Sequence, residues 1–162
     1  MRRVKDFMTP ASRCVTASTD SALESVVHSM VYDSSVGCVV VLDPNGDGTP
    51  RGIITKSDAL EWFLQRIPLE TTCALVMNAN VTCASPMMTA EEVGALLTRK
   101  RVHHLAVTDD DGAFAGVASS WDVARECGRR WTLPFWDEYL DRVASRRRAG
   151  SPNAHTDAAA SA

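Results

Sequence analysis

The feature that most constrains this chain is a seven-residue stretch that occurs twice. Gly52-Ile53-Ile54-Thr55-Lys56-Ser57-Asp58 returns as Gly116-Val117-Ala118-Ser119-Ser120-Trp121-Asp122, with the glycine, the hydroxyl residue and the acid each displaced by 64 residues. Two copies of one small unit must therefore share the chain. A unit of this size buries too little surface alone, so the copies are expected to pack face to face. In each copy an apolar run ends in a small hydroxyl residue, and an acid follows three positions later at the start of an amphipathic segment. That pattern reads as strand, turn and helix N-terminus. Two readings of Thr55 with Asp58, and of Ser119 with Asp122, are open. Each pair can be an Asp variant of the capping box, or it can hold a phosphate and a sugar diol where helix N–H groups lie unpaired. The readings are compatible, because one hydroxyl can cap an empty helix and bind ligand in a filled site.

The flanking segments repeat in the same order. Cys14-Val15-Thr16-Ala17 predicts a first strand, and Ser18-Thr19-Asp20 supplies cap candidates. Leu23, Val26, Val27 and Met30 then form one buried helical face. Residues 36–42 are almost continuously apolar and rich in Val, as in a strand covered on both sides. Asp43-Pro44-Asn45-Gly46-Asp47-Gly48 turns the chain into a second strand, and a helix from Ser57 is expected to end near Pro68. Val81-Thr82-Cys83-Ala84, the cap candidates Ser85-Pro86, the apolar positions Val93, Leu96 and Leu97, and Leu105-Ala106-Val107-Thr108 answer these elements one by one. The helix from Trp121 closes the second copy. Even the lead-ins rhyme, Phe7-Met8-Thr9 against Val76-Met77-Asn78. Each copy is thus β-α-β-β-α. The expected divisions are residues 4–68, 73–130, a C-terminal helix over 131–149 and a disordered tail over 150–162.

This arrangement resembles the CBS-domain pair, the family named after cystathionine β-synthase. The resemblance rests on both G-h-x-[T/S]-x-x-D heptads, h being apolar, in matching contexts, and on the lead Asp6-Phe7-Met8-Thr9-Pro10. It implies an α+β fold of tandem β-α-β-β-α repeats and a regulatory, non-enzymatic module. Such modules take AMP, ADP, ATP or S-adenosylmethionine as regulators in clefts between the repeats and signal to a partner protein. By the resemblance Asp58 and Asp122 would accept from ribose hydroxyls, and Thr55 and Ser119 would bond phosphate. Adenine would lie against Val15, Val36, Gly37 and Cys38 in one cleft, and against Thr82, Val102, His103 and His104 in the other. Arg51 and Lys56 would neutralise phosphates beside the first motif, or are ordinary surface cations. Ser120 and Trp121 replace Lys56 and Ser57 in the second, which removes a cation. One of His103 and His104 should point inward. A homodimer and an unidentified effector are the implied partners, and the alternative is a ligand-free dimeric interaction scaffold.

Several other functions find no support in the sequence. A formal net charge of −3 gives no global attraction to nucleic acid or anionic membrane. No stretch approaches a membrane span and the N-terminus lacks a secretory apolar run, so a cytoplasmic setting is expected. The five cysteines are scattered without a C-x-x-C pair and are expected as reduced, buried thiols. No zinc spacing or nucleotide P-loop occurs. The 43–48 stretch copies half of a calcium loop but lacks the terminal Glu and reads as a hairpin turn. Beyond the repeats, Trp136, Leu140 and Val143 make a helical stripe, suited either to a lid on its own domain or to a dimer contact.

Overall fold

An unbroken apolar run like residues 36–42 is stable as a strand only where both of its faces are covered. A computed structural model, which describes residues 2–130, shows what covers them. In chain order the elements are α1 (Val4–Phe7), β1 (Thr9–Pro10), a 3-10 turn (Ala11–Arg13), β2 (Thr16–Ser18), α2 (Leu23–Tyr32), β3 (Cys38–Leu42) and β4 (Pro50–Thr55). Then come α3 (Lys56–Gln65), α4 (Cys73–Val76), β5 (Cys83–Ala84), α5 (Ala90–Lys100), β6 (His104–Thr108), β7 (Phe114–Ser119) and α6 (Ser120–Arg130). Each repeat makes its own sheet, one ordered β2-β3-β4 and the other β1-β7-β6-β5. In both sheets the first strand of the repeat runs parallel to the second, and the hairpin is antiparallel. The expected helix over 131–149 and tail over 150–162 lie outside the described residues.

Alternation along β3 explains its composition. Val39 and Val41 face the helices of the first repeat, in a cluster with Leu23, Val26, Met30, Ile54 and Trp62. Cys38 and Val40 face the other way, onto Val117 of the second repeat. Both faces are dry, so every position is apolar. The second repeat builds its own core from Val93, Leu96, Leu97, Leu105, Val107 and Ala118.

The lead-ins are exchanged between the repeats. Val4 and Phe7 of α1 are buried in the core of the second repeat, and Cys73 of α4 is buried in the core of the first. Backbone bonds follow the same symmetry: Val4 N donates to Met88 O and Lys5 N to Pro86 O, while Cys73 N donates to Ser21 O and Ala74 N to Thr19 O. Thr9 pairs with Val117, and Asn78 bridges Ile53. The heptad glycine is what permits the crossing. A Cβ on Gly52 would fall 2.2 Å from Met77 Sδ, and one on Gly116 would fall 2.3 Å from Thr9 O. Any side chain there would push the lead-in away.

Some expectations need correction. Ser18 ends β2, Thr19 and Asp20 turn the chain, and α2 starts at Leu23 behind Ala22, which makes no side-chain cap. The cap of α5 is Thr89 and not Ser85-Pro86: Thr89 Oγ1 accepts from Glu92 N at 3.2 Å, and Thr89 N donates to Glu92 Oε2 at 2.7 Å. A T-x-x-E box outcompetes Ser85, which lies outside the helix. Helix α3 stops before Pro68, because Arg66 takes a left-handed conformation (φ 57°). Cys83 is exposed, since the edge strand β5 leaves one face open, whereas Cys38 and Cys73 are buried as expected. No helix among the described residues is long and apolar enough to cross a membrane.

Candidate functional site

Each heptad ends where a strand hands over to a helix, and there the acid folds back onto the hydroxyl residue. Thr55 donates to Asp58 Oδ2 from both its N–H (2.6 Å) and its hydroxyl (2.7 Å). Ser119 does the same to Asp122 Oδ2, at 3.0 and 2.6 Å, and Asp122 N returns a bond to Ser119 Oγ at 3.2 Å. Both pairs are thus capping boxes, which uses one carboxylate oxygen and leaves the other available. The two sites then diverge. Asp58 is half-buried, whereas Asp122 is only 8% exposed and its Oδ1 takes Arg125 Nη2 at 3.3 Å.

Asp122 sits in the wall of an open cavity of about 470 Å³, within the size range of small-molecule sites. The other walls are Arg2, Asp6, Phe7, Met8 and Thr9 of the exchanged lead-in, Arg13, Ser35 and Arg125. Arg2 Nη1 is fixed on Glu126 Oε2 at 2.8 Å, and Arg125 Nη2 also reaches Phe7 O at 3.4 Å. The cavity is therefore tied across the two repeats. Its lining is mostly polar, with Phe7 and Met8 as the apolar side chains.

Placement of the expected residues differs from the grouping inferred from sequence. Asp122 of the second repeat faces Arg13 and Ser35 of the first, while Thr82, Val102 and His103 do not line this cavity. The exchanged lead-in turns each heptad toward the other repeat. Val36 is buried in the core of the first repeat, with Val15 partly buried against it, and Val102 is partly buried against that of the second. Thr82 is half-buried, one residue before β5. Cys38 is buried between the repeats, and burial pushes its thiol up to about 12. Gly37 and His104, assigned to different clefts, meet: a Cβ on Gly37 would lie 2.6 Å from His104 Nε2. His103 is exposed and His104 points inward, where burial lowers its pKa, His103 lowers it further and Asp122 opposes the shift. Arg51 faces Asp43 on the hairpin at 3.9 Å, and Lys56 Nζ donates to Ser34 O at 3.3 Å. Neither lines the Asp122 cavity. Arg2, Asp6, Arg13, Ser35 and Arg125 were not signalled by the heptads, because they lie far from Asp122 in sequence or on its helix beyond the motif.

Comparison with known proteins agrees with this geometry. The family model for the CBS domain matches residues 4–65 and 74–129. Among solved structures, a CBS domain protein from Pyrobaculum aerophilum complexed with AMP superposes with a TM-score of 0.66 at 19% identity, over 74% of this chain and 88% of that one. A CBS domain pair in complex with methylthioadenosine and S-adenosylmethionine gives a TM-score of 0.69 at 21% identity, over 80% and 98%. The CBS domain of a bacterial CNNM/CorC family Mg2+ transporter in complex with ATP gives 0.66 at 22%, over 77% and 86%. No curated protein matches the chain. Two family matches across most of the described residues, carried on two exchanged β-α-β-β-α units, establish that this chain belongs to the CBS-domain family, as a tandem pair of CBS domains.

Proposed function

We propose that the chain is a non-catalytic sensor that binds an adenosine-containing ligand between its repeats and signals to a partner protein. The observation that carries this reading is Asp122: an acid only 8% exposed, set beside the Ser119 hydroxyl and a helix N-terminus, in the wall of a cavity. Asp122 Oδ1 would accept from a ribose hydroxyl, and Ser119 with the first N–H groups of α6 would meet phosphate. The AMP, ATP and S-adenosylmethionine complexes of structurally similar CBS domains support the same ligand class. Because the cavity joins the lead-in of one repeat to α6 of the other, ligand would bias the spacing of the repeats by its differential affinity for the two arrangements.

A thermal-shift panel of AMP, ADP, ATP, NAD and S-adenosylmethionine tests this. Ligand at about a hundred times Kd adds about 2.7 kcal/mol, and the absence of any shift would favour the scaffold reading. That second reading has its own support, since both acids already hold capping boxes through Oδ2 and Asp122 Oδ1 is paired with Arg125. In either case the assembly is proposed to be a homodimer. Leu60, Phe63 and Leu64 make an i, i+3, i+4 stripe on α3 and are 69%, 80% and 80% exposed, which leaves an apolar helix face uncovered. Phe63→Glu should yield a folded monomer by sedimentation, and an unchanged mass would refute a dimer through this face.

A further inference from the structure

The cavity beside Asp122 carries a charge pattern that its symmetry-related counterpart lacks. Between repeats the lead-in is displaced by 69 residues (Met8 to Met77), the first strand by 67 (Thr16 to Cys83), and the heptads by 64. Those displacements carry Arg2 onto Thr71, Arg13 onto Asn80 and Arg125 onto Glu61. Three guanidinium positions become a hydroxyl, an amide and a carboxylate. The strand start is displaced by 66 residues (Val36 to Val102), which places the cation Arg101 opposite Ser35.

We infer that the Asp122 cavity takes a nucleoside di- or triphosphate, one per chain, rather than an uncharged or cationic adenosyl compound. This rests on the adenosyl reading above and narrows it. Three arginines line the cavity against two acids, Asp6 and Asp122. Asp6 is committed to capping α1, where its Oδ2 accepts from Arg3 N at 2.8 Å. Arg2 and Arg125 are each matched by one carboxylate, Glu126 at 2.8 Å and Asp122 at 3.3 Å. Arg13 has no ion-pair partner among the described residues, so it is the cation that an incoming anion meets without having to displace anything. Guanidinium groups bind phosphate oxygens in bidentate fashion, and several phosphates are needed to reach more than one of them. The sulfonium of S-adenosylmethionine would bring positive charge to the same wall. Arg125 links the two halves of recognition. A phosphate that draws its guanidinium away frees Asp122 Oδ1 for a ribose hydroxyl.

Calorimetric titration of the full chain with adenosine, AMP, ADP, ATP and S-adenosylmethionine, at low and raised salt, tests this. Affinity is expected to rise from adenosine to ATP by at least about a hundredfold, to fall with salt, and to saturate at one ATP per chain. Arg13→Gln, at an exposed and unpaired side chain, is expected to narrow the ATP-over-adenosine ratio about tenfold, with the melting temperature of the empty protein confirming an intact fold. Equal affinity for adenosine and ATP, two equivalent ATP sites, or an unchanged ratio in Arg13→Gln would overturn the inference while leaving an adenosyl sensor standing. Binding of none of the five compounds would overturn the adenosyl reading itself.

Discussion

Replacing Gly116 with alanine tests the exchange of lead-ins that places every wall of the cavity. At a position that tolerates it, Gly→Ala stabilises by about 0.4–1 kcal/mol through the unfolded state. Here the new methyl would lie 2.3 Å from Thr9 O and 3.2 Å from Met8 Sδ and Pro10 Cα. Ordinary contact needs about 3.4 Å or more, so β1 must retreat by about 1 Å. That strand is continuous with α1, whose Val4 is fully buried and whose Phe7 is 6% exposed in the core of the second repeat. Displacing such packing costs about 1–3 kcal/mol, and weakening the pairing of β1 with β7 adds about 1 kcal/mol. After the entropic gain the net loss is about 2–3 kcal/mol, a fall of about 10 °C in melting temperature by calorimetry. Gly52→Ala should cost less, because its methyl meets only the Met77 side chain: the thioether can turn away, and the 2.8 Å contact with Met77 Cβ asks for a smaller retreat of the lead-in than the 2.3 Å contact with Thr9 O. A Gly116→Ala protein melting within about 2 °C of the parent, or a Gly52→Ala protein melting below the Gly116→Ala protein, would refute the reasoning.

The remaining predictions concern the acids, the buried histidine and the thiols. Asp58→Ala should cost about 1 kcal/mol in urea unfolding, the value of a helix cap, while weakening ribose-dependent binding if its cleft fills. Asp122→Ala should cost about 2–3 kcal/mol, because it also strips a nearly buried acceptor from Ser119 N; equal losses for the two variants would contradict the difference in burial. Burial, followed by His103, holds His104 below its ordinary 6.5, so the unfolded chain takes up that proton first. Stability from this group is therefore complete above about pH 6.5 and declines as the pH falls below it. His104→Leu should flatten that part of the pH profile, and an unchanged slope would exclude His104 as its source. Alkylation at mildly alkaline pH followed by mass spectrometry should label exposed Cys83 first and Cys38 only on unfolding, since its thiol is buried and raised to about 12. Early labelling of Cys38 would contradict the packing between the repeats.

Much of the architecture was legible because it is written in local chemistry. The doubled heptad, the valine run over 36–42 and the Gly-rich turn each report on their nearest neighbours, and each marks an element that is present. The capping geometry of Thr55 with Asp58 and of Ser119 with Asp122 was legible for the same reason, since a three-residue spacing decides it. Caps with a stronger local competitor were misread, as at Thr89.

What the linear order could not supply is which repeat faces which. In the sequence the heptad glycines stand only as repeated members of an apolar run, yet they mark the crossings of Met8 and Met77, contacts made between segments far apart in the chain. Those crossings bring Arg2, Arg13 and Ser35 up to Asp122 and set His104 against Gly37. From its own residues alone the chain determined that it is a duplicated β-α-β-β-α unit with an acid and an alcohol at each helix start, because hydrogen bonding and hydrophobic period act over a few residues. Only the tertiary structure decided that Asp122 lies among arginines, because the charge around a carboxylate is the sum over everything packed near it, wherever it falls in the sequence.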